Sequence, residues 1–201
     1  MSLFNIFFFY GLAFILTVLS VPVFRNYALK RGIVDNPDNN LKRQKSPVPY
    51  LGGLSIFVPV FICSILVLLK SILNIDSELN FSFNQLVIII QILLCATIMM
   101  ILGLIDDIKN LSPYPKLIVQ FLVAIVITRF GIIIQIKFFP YWVNYFLTVM
   151  WIVSMTNASN LIDIMDGLCS GVISIACLTF IICGVITGNS VVLMFGSILG
   201  G

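Results

Sequence analysis

The sequence has 201 residues, of which 60% are hydrophobic and 9% charged, with a formal net charge of +3 and no His. A soluble domain carries about 25% charged residues, so no soluble fold of this length could hide so much apolar surface. The apolar stretches are long and unbroken, which excludes a transmembrane β-barrel and its short alternating segments and predicts an all-α, polytopic integral membrane protein.

A membrane-spanning helix needs about 20 mostly apolar residues. Six stretches meet or approach that length: 3–24, 51–70, 84–105, 117–135, 139–157 and 168–187, and a seventh begins near Val191. The first lacks the basic flank and the small-residue cleavage site of a signal peptide, so it is expected to remain as the first span. Lys137 and Pro140 mark the break between the fourth and fifth, leaving room for only a short turn. The five cysteines form no C-x-x-C pair, and four lie inside apolar runs, where Cys acts as a small packing residue. A zinc site is not expected.

The connections differ in charge. Arg25, Lys30, Arg31, Lys42, Arg43 and Lys45 fall in residues 25–50, and Lys109 and Lys116 in residues 106–116. The alternate side holds only Lys70, Arg129 and Lys137. The positive-inside rule therefore puts the N-terminus outside and the basic connections in the cytoplasm. Asp35, Asp38, Asp106, Asp107, Asp163 and Asp166 fall on that same side, and only Asp76 and Glu78 fall opposite. The predicted organisation is one transmembrane domain over 1–201, with a basic cytoplasmic loop at 25–50 and cytoplasmic active-site segments at 106–116 and 158–167. On charge alone, the basic loop reads first as a solvated segment held by anionic head groups, and second as a cradle for phosphates.

Two acidic stretches stand out. "GLIDDIKN" puts Asp106 and Asp107 at the end of the third span, where a helix C-terminus disfavours negative charge, so a lysine or a bound cation should compensate. "NASNLIDIMDGL" places Asn157, Asn160, Asp163 and Asp166 at every third residue. That spacing turns a helix by about 300°, so neighbours in the series face nearly the same way. A carboxylate buried in a span costs about 2.5–3.5 kcal/mol on the insertion scale, so such groups normally face a wet, functional cavity. Carboxylate and amide oxygens suit a hard cation such as Mg²⁺, and lysines suit phosphate oxygens. These are the parts of phosphoryl transfer.

Three ordered motifs, "VDNPDNNLKRQKSPVPYLGG" (34–53), "GLIDDIKN" (103–110) and "NASNLIDIMDGL" (157–168), make the chain resemble the polyprenyl-phosphate N-acetylhexosamine-1-phosphate transferases of glycosyltransferase family 4, the MraY/WecA-like enzymes. The resemblance runs from about residue 25 to the end. It implies transfer of an N-acetylhexosamine 1-phosphate from a UDP-sugar to polyprenyl phosphate with release of UMP, for cell-wall or surface polysaccharide synthesis. It further implies Mg²⁺ or Mn²⁺ as cofactor, and an active site on the cytoplasmic face of the cell membrane. Self-association as a homodimer is compatible with it, and no nucleic acid is expected as a partner. By position, Asp106 matches the aspartate assigned to deprotonate or position the lipid phosphate, and Asp107 supports the same cluster. Asn160 and Asp163 match residues near the metal and diphosphate, with Asp163 also counted as catalytic. Asp166 matches a residue at the nucleotide end, and Lys42 and Lys45 lie in the basic substrate motif. Asn157 and Gly167 complete the candidate substrate-binding set.

Two departures accompany the resemblance. Gln44 stands where the family often has a His, and the later Phe-Met-Gly-Asp motif with its metal-binding aspartate is not in the sequence, which ends in "VVLMFGSILGG". The sequence therefore reads as an N-terminal portion, and low or no activity is expected of residues 1–201 alone. Two other classes compete: a cation- or proton-coupled transporter, which would need midplane acids and an internal repeat, and an inactive membrane fragment.

Overall fold

The computed structural model describes residues 2–35, 48–75, 79, 81–109, 111–163 and 167–201. Seven helices are placed among them: α1 (Leu3–Arg31), α2 (Gly52–Ile72), α3 (Phe83–Lys109), α4 (Pro113–Arg129), α5 (Tyr141–Ile162), α6 (Leu168–Thr187) and α7 (Ser190–Gly200). Between α1 and α2 lies a short antiparallel pair, β1 (Val34–Asp35) and β2 (Val48–Pro49), in the register Val34↔Pro49 and Asp35↔Val48. The all-α reading did not anticipate this pair.

Helix ends follow local chemistry more closely than hydropathy. α1 passes through the basic residues 25–31 because Arg and Lys are good helix formers, and it stops at Gly32, which takes a left-handed φ of 69° and donates back to Ala28 O and Leu29 O. The first span was expected to end at 24, so Arg25, Lys30 and Arg31 ride on the helix and not in the loop. α3 likewise runs to Lys109 and carries Asp106 and Asp107 in its last turn. Pro113 then opens α4 at its first position, leaving a very short corner.

α4 ends at Arg129, six residues before the expected 135. The residues beyond it turn and then take no regular secondary structure. Their backbone is satisfied by two buried side chains of α5: Ile134 N donates to Thr148 Oγ1 at 3.0 Å and Ile136 N to Asn144 Oδ1 at 3.3 Å, while Asn144 Nδ2 donates to Ile136 O and Phe139 O. A hydropathy count cannot tell such a laced, irregular segment from another turn of helix, since both are apolar.

α1 packs on α2 and α7, α7 on α6 and α2, and α3 joins α2 to α4, which pairs with α5. The main core is built from Phe9, Cys63, Val67, Ile89, Leu93 and Met194 with their neighbours, and a smaller one holds Ala124, Val149 and Val153. Gly184 lets α7 approach closely, because a Cβ there would stand 2.8 Å from Leu193 Cγ. Four helices, α1, α2, α3 and α6, are long and apolar enough to cross a membrane. Only 11% of the α6 span is buried, so its outer faces suit lipid and not water. The expected six or seven spans correspond in order to the seven helices, and four of these meet the criterion.

One end of the bundle gathers the α1 C-terminus, the β pair, the α3–α4 corner, the C-terminus of α5 and the start of α6. At the other end the sparse cations rest on aromatic rings: Lys70 Nζ lies 5.1 Å from the Phe8 ring centre, and Arg129 Cζ lies 5.7 Å from that of Tyr145.

Candidate active site

The α3–α4 corner answers the charge problem posed by its two aspartates. Lys116 Nζ, in the first turn of α4, stands 2.5 Å from Asp106 Oδ2, and Leu111 N donates to Asp106 Oδ1 at 3.1 Å. Both oxygens of this half-buried carboxylate are therefore engaged, and the compensating charge that the helix end requires comes from α4. Asp107 follows one residue later, about 100° around the helix. It is exposed and lines a cavity of about 460 Å³ between α2, α3 and α7.

α4 carries the connection onward. Gln120 lies one turn beyond Lys116 and is 5% exposed. It accepts from Asn157 Nδ2 at 2.7 Å, and the same nitrogen also donates to Val153 O at 2.8 Å. Two contacts one turn apart on α4 thus hold the second motif on α3 and the third motif on α5 at the same end. The third motif is helical through Ile162, five residues beyond the span end expected at 157. Asn160, in the last turn, is exposed, and so is Asp163, which caps the helix with its N–H on Ser159 O at 3.2 Å. Gly167 opens α6 at φ 79°, and its carbonyl accepts from Gly171 N and Ser170 Oγ. Asp166 lies outside the described residues.

The first motif reaches the same end through its two margins. The β pair brings Asp35 beside Tyr50, whose hydroxyl donates to Asp35 Oδ1 at 3.0 Å. Tyr50 lines the cavity together with Asp107, Gly53 and Gly103. Lys42 and Lys45, in the middle of this motif, lie outside the described residues, as do Asp38, Arg43 and Gln44.

Sequence reasoning missed Tyr50 and Gln120. Gln120 had a signal: it is the lone amide in "LIVQFLVAIVI", and an amide inside an apolar span needs a partner on another helix. Tyr50 had only its place before the Gly52–Gly53 pair. Asn157, expected to bind substrate, spends its amide nitrogen on tying α5 to α4.

The oxygen donors present are of the type a hard divalent cation takes, with substrate phosphates commonly completing the shell. Among the described residues, however, no three Asp, Glu, Cys or His side chains gather as a ligand set. Asp163 does not join Asp106 and Asp107 in one cluster here, and its partner in cation binding would be the neighbouring amide of Asn160.

Apolar helices with lipid-facing sides, and polar motifs meeting at one end, define a multi-pass membrane protein with a carboxylate-lined site. The comparisons with known proteins carry this further. Residues 89–201 match glycosyl transferase family 4, and the chain belongs to that family. It is 33% identical over 90% of its length to a probable undecaprenyl-phosphate N-acetylglucosaminyl 1-phosphate transferase of Bacillus subtilis (strain 168), covering 50% of that protein. It is 31% identical over 79% of its length to the undecaprenyl-phosphate alpha-N-acetylglucosaminyl 1-phosphate transferase of Thermotoga maritima, covering 44%. A phospho-N-acetylmuramoyl-pentapeptide-transferase of Bacillus thuringiensis (strain Al Hakam) is 28% identical over 83% of the chain, which covers 55% of it. The chain spans about half the length of the curated relatives it matches.

Proposed function

We propose that the protein transfers an N-acetylhexosamine 1-phosphate from a UDP-sugar to polyprenyl phosphate, releasing UMP and leaving a lipid-linked diphosphate sugar. The observation that carries this reading is the meeting of the three motifs at one end of the bundle, in a chain of glycosyl transferase family 4. The proposed site faces the cytoplasm. In support, the described basic residues Arg25, Lys30, Arg31, Lys109 and Lys116 cluster at that end. We extend the same reading to six or seven spans with the N-terminus outside.

In the reaction an oxygen of the lipid phosphate attacks the sugar-bearing phosphorus of the donor. One P–O bond forms and the P–O bond to UMP breaks. Where the acceptor phosphate still carries a proton, a carboxylate of the α3 pair takes it. Asp107 is the one facing the cavity, while Lys116 and Leu111 N hold Asp106 in place beside it. Asn160 and Asp163 are proposed to hold Mg²⁺ or Mn²⁺, which when bound neutralises charge on the diphosphate oxygens. Lys42, Lys45, Asp166 and Gly167 are proposed to serve the donor side.

The test is incubation of the whole protein in its native membrane with polyprenyl phosphate, Mg²⁺ and UDP-N-acetylglucosamine, then with other UDP-sugars. UMP and a lipid-linked diphosphate sugar are expected. Folded protein that releases no UMP from any UDP-sugar would refute the reading. Ion uptake into proteoliposomes, abolished by Asp163→Asn, would favour a transporter instead.

A further inference from the structure

Between α4 and α5 the chain runs from residue 130 to residue 140 without helix or strand. The lacing by Thr148 and Asn144 reaches only the edge of this segment that carries Ile134 and Ile136. Gln135 and Lys137 are exposed, and among the described residues their backbone groups make no hydrogen bond. Backbone left open in this way is not tolerated against hydrocarbon, so it needs water or a polar head group. The side chains beside it demand the opposite. Phe138 is 95% exposed, Trp142 71% and Tyr141 69%, a run of rings that bulk water disfavours. The layer that satisfies both demands is the head-group region of a bilayer, where Trp and Tyr concentrate.

Charge and length point to the same layer. No acidic residue lies between Asp107 and Asp163, so the corner is purely cationic. Arg129 Cζ lies 5.7 Å from the Tyr145 ring centre, and that ring lies 6.5 Å from the ring of Tyr141. Arg129 is thereby held by rings, while Lys137 stands exposed beside Phe138. From Trp142 to Asp163 the chain of α5 rises about 32 Å, close to the ~30 Å of a hydrocarbon core.

We propose that the α4–α5 corner is a docking surface for net-anionic phospholipid head groups, in the leaflet opposite the proposed active site. Phe138, Tyr141 and Trp142 sit among the head groups, and Lys137 meets a lipid phosphate. The proposal rests on the multi-span reading above, which takes α5 through the bilayer, and adds a lipid contact at the end remote from the chemistry.

The test reads the depth of two tryptophans in the whole protein, reconstituted in phosphatidylcholine vesicles that carry brominated lipid. Emission lost in Trp142→Phe belongs to Trp142, and emission lost in Trp151→Phe to Trp151. Trp151 lies further along α5, about 14 Å from Trp142 along the axis. Bromine near the head group should quench Trp142 more than bromine deep in the acyl chain, and the order should reverse for Trp151. Brominated phosphatidylglycerol should quench Trp142 more than an equal amount of brominated phosphatidylcholine. Lys137→Gln should lower that preference by about fivefold, the factor that one lysine near an anionic surface contributes. Thermal unfolding verifies the fold of each variant. Trp142 quenched by aqueous iodide and not by lipid, or quenched most by deep bromine, overturns the proposal. So does Trp142 reached by neither, since protein then covers it, and so does equal quenching by the two head groups. Trp142 and Trp151 both shallow would sink the passage of α5 through the bilayer and leave the head-group contact standing.

Discussion

Asn157 Nδ2 donates to Gln120 Oε1 at 2.7 Å, across the contact between α5 and α4, where Gln120 is 5% exposed. A side-chain bond of this kind between membrane helices is worth roughly 0.6–2 kcal/mol, and truncating one partner strands the other. Asn157→Leu and Gln120→Leu should each lower stability by about 1–2 kcal/mol, while the double variant loses little more than either single one. Unfolding in detergent, run as a double-mutant cycle, reads the coupling. Strictly additive losses would show that the bond does not hold the two helices.

Lys116 is the cation on Asp106, so its removal should disturb the site and also loosen the α3–α4 corner. Lys116→Met is expected to cut UMP release about 10²-fold, and Lys116→Arg to retain most of it, because a charge-assisted bond to carboxylate is kept. Steady-state assays beside a thermal-shift control separate the two effects. Equal activity in Lys116→Met and wild type would remove Asp106 from the reaction.

Asp106→Asn and Asp163→Asn should each lower UMP release by about 10²-fold or more with expression close to wild type, and Asp163→Asn should also leave unfolding unchanged. Asp163 is exposed at a helix end, so no buried packing is lost with its charge.

Chelation offers a test independent of mutation. EDTA should stop UMP release, and Mg²⁺ or Mn²⁺ should restore it, whereas Ca²⁺ should not, being larger and demanding more oxygen ligands. Activity that survives exhaustive chelation would exclude the metal-assisted route.

Gly167 takes a left-handed φ of 79° between Asp163 and α6, with open space where a Cβ would stand. The cost of a side chain there is therefore conformational. Gly167→Val should destabilise by about 1–3 kcal/mol, and Gly167→Asn by much less, since Asn tolerates that region. Midpoints of thermal unfolding in detergent give the ordering, and equal midpoints for the two variants would refute it.

The helical class and the three motifs were legible in the sequence because apolar runs and polar spacing are local signals. So was the need for a cation beside Asp106 and Asp107, though the sequence could not choose between Lys109, Lys116 and a bound ion. Only the fold, by folding α4 back at Pro113, brings Lys116 to Asp106. Tyr50 and Gln120 escaped because their roles depend on which helices are neighbours. The end of α4 was misplaced for a similar reason: Ile132 to Ile136 look helical until Asn144 and Thr148 supply hydrogen bonds from another helix.

That lacing has a reach beyond its own corner. Asn144 and Thr148 fix where α5 starts relative to α4, and nineteen residues of rigid helix, about 28 Å, separate Asn144 from Asp163. A slip of a single residue at the lacing would displace Asp163 along the helix axis by about 1.5 Å and swing it about 100° around that axis. The α4–α5 pair therefore works as a measuring rod. Two polar side chains at one end of it set the position of a carboxylate at the other, without touching it.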